Sequence, residues 1–308
     1  MKIIITGGAG FIGSNLVDAL LTQGHHVVVI DDLSFGKGSN VNRAAKFYKA
    51  DIKNRKIIEN IFQKEKPRAV FHLAAQMNVR HSVLDPVFDA QVNVLGALNI
   101  VESAVKNKVK KFIFASTGGA IYGEANQIPT PEDYPVSPIS PYGVAKLAVE
   151  KYLHYYYQVF DLNYIALRYA NVYGPRQNPH GEAGVVAIFI NKMLHKENPT
   201  VNGSGRQTRD YVFVNDVVKA NILALKNKKV GTYNVGTGKE TNVNQIFKEM
   251  NYYFGNRFKV NHGPVQKGEQ MRSCLDWRKI RCEFGWKPEI DLVSGIKRTI
   301  EWFKGNQE

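Results

Sequence analysis

The run Thr6-Gly7-Gly8-Ala9-Gly10-Phe11-Ile12-Gly13, directly after Lys2-Ile3-Ile4-Ile5, constrains the fold of this chain more than any other feature. Three consecutive isoleucines are apolar on both sides of an extended segment, which predicts a strand buried on both faces. Gly7, Gly10 and Gly13 permit a tight turn, close approach of a ligand to the backbone, and close packing of the next helix on the strand. That helix offers free N–H groups and the positive end of its dipole to an anion. Strand, glycine loop and helix in this order form the context in which such a run holds a dinucleotide pyrophosphate. The spacing is G-x-x-G-x-x-G rather than the commoner G-x-G-x-x-G, with the same physical requirements.

The first half repeats the rhythm. Apolar strands are predicted at 2–6, 26–30, 69–73, 111–116 and 164–168, and amphipathic helices at 11–23, 55–65, 87–106 and 142–160. This predicts an α/β fold, a doubly wound parallel-sheet Rossmann domain with ligands beyond the carboxyl ends of its strands. From about Asn171 the rhythm changes, with a loop rich in breakers from Tyr173-Gly174-Pro175 to Pro179-His180-Gly181. Helices follow at 185–196, 215–226, 242–254, 277–284 and 292–304, with short strands near 200–202 and 210–214. They predict a smaller mixed α/β C-terminal substrate domain. We expect residues 1–170, rejoined by about 212–240, to hold a dinucleotide, and a partly discontinuous lobe at 171–308 to hold substrate.

Composition narrows the class. At 308 residues, 44% hydrophobic and 22% charged, the chain has the make-up of a globular protein with a large core. No apolar run approaches the ~18 residues of a membrane span. The apolar start is too short for a signal-peptide core and reads as a strand. Cys274 and Cys282 give no disulfide framework, so a reducing, cytoplasmic setting is expected. The eight histidines are dispersed, and no metal site is expected. The lysines behind the net charge of +14 are scattered, the densest groups being Lys106-Asn107-Lys108-Val109-Lys110-Lys111 and Lys226-Asn227-Lys228-Lys229. Both stretches fall where helices should end, where cations complement the dipole and stay solvated. Neither a nucleic-acid nor a membrane partner is expected.

Asp31 lies 18 residues beyond Gly13 at the end of the second strand. A carboxylate there accepts from adenosine ribose hydroxyls and repels a 2′-phosphate, which favours NAD over NADP. Asp32 either shares that role or caps a turn. Asp51 and Ile52 follow the third strand and can edge an adenine. Leu73, Ala74, Ala75 and Gln76 end the fourth strand with small residues that admit a cofactor. Asn93, in mid-helix, either bridges backbone groups beneath the site or is a locally satisfied core residue.

Tyr142 and Lys146 are one helical turn apart on one face, a rise of about 6 Å. An ammonium beside a phenol favours the phenolate, which is then a usable base near neutral pH. Thr117 ends the fifth strand at the ligand edge, where its hydroxyl can bond a reacting oxygen. Thr117, Tyr142, Lys146 and the glycine loop together point to redox chemistry on a hydroxyl group.

The chain resembles the extended short-chain dehydrogenase/reductases that act on nucleotide sugars, and most closely the UDP-glucose 4-epimerases. The carriers are Thr6 to Gly13, Asp31-Asp32, His72 to Gln76, Ser116-Thr117-Gly118-Gly119-Ala120-Ile121-Tyr122-Gly123, Tyr142 to Lys146, Arg168 to Pro175, and Arg209-Asp210-Tyr211. The resemblance implies retained NAD, a transient 4-keto sugar, Tyr142 as base, Thr117 as relay and Lys146 as the group that tunes the base and holds the cofactor. It adds Phe11, Ile12, Ser34 and Gly36 to the cofactor set. For the UDP-sugar it implies Thr117, Tyr142, Asn171, Val185, Val186, Arg209, Arg272 and Ser273, although Arg209 can instead pair with Asp210 or Asp216. It also implies a homodimer through the helix carrying Tyr152, Tyr155, Tyr156, Tyr157 and Phe160.

Relatives that dehydrate a sugar place an acidic pair after the threonine; here Gly118-Gly119 supply no acid. Two departures from the family pattern stand out. Gln266 occupies the usual diphosphate arginine position, with Lys267 or Arg272 as substitutes, and Asn202 falls near the usual uracil aromatic. A small Ser273 implies room for an N-acetyl group, so a UDP-N-acetylglucosamine or dual-specificity epimerase is the alternative within this chemistry. Outside it stand a dehydrogenase that releases NADH and a non-catalytic NAD-sensing protein that binds nucleic acid.

Overall fold

In the computed structural model, which describes residues 1–180, 184–265 and 270–306, strands and helices alternate through the first half. They run β1 (Lys2–Thr6), α1 (Phe11–Thr22), β2 (His26–Asp31), β3 (Lys46–Lys49), α2 (Arg55–Glu65), β4 (Ala69–His72), α3 (Val79–Leu84) and α4 (Pro86–Ala90). A π-helical turn (Gln91–Gly96) leads into α5 (Ala97–Lys106), β5 (Lys111–Thr117), α6 (Gly118–Ile121), α7 (Pro141–Phe160) and β6 (Tyr164–Tyr169). Next come β7 (Asn171–Tyr173), α8 (Val185–Leu194), β8 (Thr200–Asn202), β9 (Thr208–Phe213), α9 (Val214–Lys226) and β10 (Gly231–Val235). The chain finishes with β11 (Glu240–Asn242), α10 (Val243–Tyr253), β12 (Asn261–Gly263), β13 (Arg272–Ser273), α11 (Arg278–Phe284) and α12 (Leu292–Gly305).

Seven strands form one parallel sheet in the order β10-β6-β5-β4-β1-β2-β3. The unbroken apolar strands feed two cores at once. Ile3, Ile5, Val27 and Val29 enter a cluster with α1, α9 and α11, whereas Ile4, Val28 and Ile30 enter a second with α2, α5 and α7. The order reverses between β1 and β4, which leaves a crevice at the carboxyl ends of those strands. Among the described residues, no helix is long and apolar enough to cross a membrane.

A smaller sheet is centred on β9, which pairs antiparallel with β11 on one edge and parallel with β13 on the other, while β7 pairs parallel with its second half. Phe189, Ile190, Ile246, Met250, Ile296 and Ile300 of α8, α10 and α12 pack with Tyr173, Tyr211 and Phe213 in a third core. The chain crosses between the two sheets several times. After β9, α9 packs beside α1 and β10 adds the seventh strand to the large sheet. The helix expected at 277–284 in the smaller lobe packs on the large sheet instead, because Ile280, Phe284 and Trp286 join the first cluster.

The helix expected at 87–106 is three pieces, α4, the π turn and α5. The wider turn sets Asn93 against the Gln76 backbone and seats Gly96 on Ile52, where a Cβ would lie 2.8 Å from the side chain. Such a register change leaves the apolar periodicity nearly intact and is hidden in the sequence.

A buried ion pair locks α7 to the sheet. Arg168 of β6 donates through Nε (3.0 Å) and Nη2 (2.6 Å) to the two oxygens of Glu150, and Ser116 of β5 donates to Glu150 at 2.5 Å. Removing one member strands the other charge in a dry site. Arg168→Met should therefore lower the unfolding free energy by about 3–5 kcal/mol in urea titrations. Adding Glu150→Leu to that variant should recover most of the loss. A single variant within about 1 kcal/mol of the parent would mean that the pair contributes no more than an exposed one.

Candidate active site

A cavity of about 350 Å³ opens at the carboxyl ends of β1, β2, β4 and β5. Of the residues singled out in the sequence, Gly7, Gly10, Phe11, Ile12, Gly13, Asp31, Asp32, Ser34, Gly36, Asp51, Ile52, Leu73, Ala74, Ala75, Gln76, Thr117, Tyr142 and Lys146 line it. Positions more than a hundred residues apart in the chain thus share one wall.

The glycine loop is a cradle that side chains would fill. Gly7 has φ +73°, and a Cβ there would stand 2.6 Å from the Ala74 nitrogen. A Cβ on Gly13 would stand 2.1 Å from the Gly7 carbonyl oxygen. Gly10 caps α1 with no side-chain hydrogen bond, so the helix opens on backbone N–H groups with Phe11 and Ile12 at the cavity. Asp31 accepts from the Ala9 amide through Oδ2 and from the Leu33 amide through Oδ1, both at 2.9 Å. Burial pushes its carboxyl above the ordinary range, against the pull of those two N–H groups. Asp32, which also lines the cavity, accepts from the amide (2.9 Å) and hydroxyl (2.6 Å) of Ser34 in a turn.

At the other end of the cavity, the first turn of α7 is fixed from two sides. Ser140 Oγ accepts from the Gly143 amide, and Ser82 of α3 accepts from the Tyr142 amide, each at 3.2 Å. Lys146 is buried; its Nζ donates to the Ala115 carbonyl at 2.9 Å and lies 5.7 Å from the Tyr142 ring centre. Burial lowers the Lys146 ammonium to about 8, opposed by the charges of Asp89 and Glu150. Burial, and then the Asp89 carboxylate, push the Tyr142 phenol well above its ordinary value. The shift favours the protonated phenol, and a positive charge brought beside it would work in the opposite direction. Thr117 is the last residue of β5 and pairs in register with Tyr169 of β6.

Other predicted residues lie outside the cavity wall. Asn93 is buried behind it, bonded at 2.9 Å to both backbone groups of Gln76 and to Asp89, so it bridges backbone as one of its two readings had it. Asn171, Arg209 and Ser273 sit on β7, β9 and β13 of the smaller sheet, where Ser273 faces Arg209 in register. Val186 is buried in the third core and Val185 packs against it. Arg272 is exposed and donates to both carboxylate oxygens of Glu240, at 2.9 and 2.6 Å. Asp210 accepts from Thr237, Gly238 and Leu275, and Asp216 from the Glu289 and Ile290 amides. Gln266 and Lys267 lie outside the described residues.

Sequence reasoning missed Phe35, Met77, Phe88, Val92, Ala170 and Val172 on the wall. Phe35 and Met77 are exposed apolar side chains beside predicted ligand residues, a signal that was available. Ser82 left no signal, since it meets Tyr142 from 60 positions upstream.

Residues 3–236 match the NAD dependent epimerase/dehydratase family. A relative in Methanocaldococcus jannaschii, a putative UDP-glucose 4-epimerase, is 47% identical over 304 residues, covering 99% of each chain. The crystal structure of UDP-glucose 4-epimerase from Thermotoga maritima with UDP-glucose superposes with a TM-score of 0.98 at 48% identity, covering 100% of both chains. That of Thermus thermophilus UDP-glucose 4-epimerase in complex with NAD gives a TM-score of 0.95 at 42% identity, covering 99% of each.

Gly13→Ala tests the cradle. The added methyl must displace the Gly7 carbonyl, so affinity for NAD, read by fluorescence titration, should fall at least about tenfold. Gly305→Ala, where nothing lies within 4 Å of a Cβ, should leave it unchanged. Equal affinity in both variants would remove the loop from the binding site.

Proposed function

The chain belongs to the NAD dependent epimerase/dehydratase family, and from that premise we propose that it interconverts UDP-glucose and UDP-galactose by inverting C4 of the sugar. One observation carries the reading: Thr117, Tyr142 and Lys146 line the same cavity as the glycine cradle, with no acid beside them at 118 and 119. NAD fits the cradle, because the glycines clear space that side chains would fill and α1 opens on uncapped N–H groups. Gly7, Gly10, Phe11, Ile12 and Gly13 would hold its pyrophosphate, and Asp31 its adenosine ribose. When bound, NAD supplies a reversible hydride acceptor.

The protein's own groups handle the proton and the positioning. Tyr142 takes the proton of the sugar 4-hydroxyl and later returns it; Thr117 bonds that oxygen and relays the proton. Lys146 holds a positive charge beside the phenol below about pH 8 and loses it above. Asn171, Val185, Val186, Arg209, Arg272 and Ser273 make up the UDP-sugar side, with Arg209 offering a planar fork to phosphate. Dehydration is disfavoured by space as well as by chemistry. A Cβ on Gly118 would stand 2.4 Å from Leu275, so an acid cannot be placed there without moving that side chain. Gly119 keeps open the gap between Thr117 Oγ1 and Asn171 Oδ1, 3.9 and 3.8 Å from the site of its Cβ. The names of the relatives favour the glucose and galactose pair over the N-acetylated one.

In the same reading, residues 1–170 with the return at about 212–240 form the NAD lobe, and the remainder of 171–308 forms the sugar lobe. With two cysteines in 308 residues and both as free thiols, a cytoplasmic setting is supported. A second copy of the chain covers α7, where Val144, Tyr152, Tyr155 and Val159 expose an apolar stripe beside Leu95.

Purified protein given UDP-galactose should yield UDP-glucose without net NADH. Tyr142→Phe should lower turnover by at least about a hundredfold with NAD still bound. Unchanged turnover would reject Tyr142 as base, and accumulation of NADH would reject epimerisation. For assembly, Tyr152→Glu with Val159→Glu should convert a dimer to a monomer in light scattering. A parent that is monomeric, or a variant that stays dimeric, would overturn the pairing.

A further inference from the structure

The lysine clusters that the sequence places at helix ends acquire a shared position in the fold. All the strands of the large sheet run the same way, so every segment leading into them arrives at one edge, opposite the cavity. The backbone ties these segments side by side. Lys2 pairs in register with His26, the Arg68 amide donates to the Lys2 carbonyl, and the Lys110 amide donates to the Arg68 carbonyl, both at 2.9 Å. Buried Lys111 reaches across the end of β6 to the Lys229 carbonyl at 2.8 Å. The end of α9 closes the row, with Lys226 close enough to His25 to depress its titration, after burial and the chain amino group.

Lys66, Arg68, Lys108, Lys110, Lys226 and Lys228 are all exposed along this row. Among the described residues, none of the six has a carboxylate within ion-pair distance. The acids nearby are largely engaged: Glu65 by Lys2, Lys46 and Tyr48, and Glu283 by Tyr233 and, at 3.9 Å, by Lys229. Among the described residues of the segments leading into β1, β2, β4, β5, β6 and β10, Asp161 is the one exposed acid. From β2 to β10 the row crosses five strand intervals, about 25 Å.

We infer that this edge is a docking face for an anionic lipid surface. The cations belong to separate loops brought to one end of one sheet, so they make a broad field of point charges rather than a groove that tracks one strand. Five of the six are lysines, which lack the planar fork that reads phosphate or base edges. No aromatic residue is interleaved in 64–68, 106–111 or 226–230 to stack a base. A flat anionic leaflet meets that geometry, and with the face seated on it the cavity at the opposite end of the strands stays open to solution.

The test is co-sedimentation of the full chain with vesicles of phosphatidylcholine containing about one-third phosphatidylglycerol, and with phosphatidylcholine alone, at about 0.15 M salt. Binding is expected only to the anionic vesicles. Combined Lys66→Gln, Arg68→Gln, Lys108→Gln and Lys110→Gln should weaken it at least about tenfold. Combined Lys248→Gln, Lys259→Gln, Lys297→Gln and Arg298→Gln, an equal charge loss on exposed positions of the smaller lobe, should change it less than about twofold. Turnover of UDP-galactose should match the parent in both. Absence of binding to anionic vesicles, equal loss in the two variants, or tighter binding to duplex nucleic acid of the same phosphate content would each overturn the inference.

Discussion

The position of the reactive groups depends on one buried charge pair. Tyr142, Lys146 and Glu150 follow one another at single-turn intervals along one face of α7. Glu150 is fastened to Ser116 and Arg168, and Arg168 passes the connection through Tyr122 to Asn234 of β10. Rotation or sliding of α7 would break this chain of bonds in a dry interior. The phenol and the ammonium, two turns and one turn upstream, inherit the register that the pair sets.

The rest of the site follows from where polar backbone is left available. Six helices, α2, α3, α4, α7, α10 and α12, have a side-chain cap at their N-terminus. At α1 the cap position is Gly10, and the turn above it is kept bare by Gly7 and Gly13. Leaving those N–H groups without an internal partner reserves them for an anion. At the opposite end of the cavity, burial raises the Tyr142 phenol and lowers the Lys146 ammonium to about 8, so a ligand that alters the local charge would move both.

What the sequence revealed was local. Strand, glycine loop and helix are contiguous, and Tyr142 and Lys146 are one turn apart, so period and spacing alone locate them. Asp31 is found by its distance from Gly13. What stayed hidden depends on contacts across the chain. β10 escaped notice because Gly231, Thr232 and Asn234 spoil its apolar pattern, yet pairing with β6 makes it a strand. β13 is two residues long and exists only because β9 offers it an edge. The π turn at Asn93 answers to Gln76, 17 residues upstream. The backbone bridge made by Asn93 and the turn contact of Asp32 with Ser34 show only once neighbours in space are known.

The repeated crossing of the chain between its two larger sheets has a mechanical consequence. β7 and β9 belong to the smaller of them, α9 and β10 to the larger, β11 and β13 to the smaller again, α11 packs on the larger and α12 in the core of the smaller, while β8 and β12 pair with each other as a separate two-stranded sheet. Neither part is a continuous length of polypeptide that can detach while the other stays folded. Melting should be a single cooperative event, and no cut at one peptide bond would release either half intact. Widening of the cleft is shared among five connections at once, which favours small, concerted adjustments over a broad swing about one pivot.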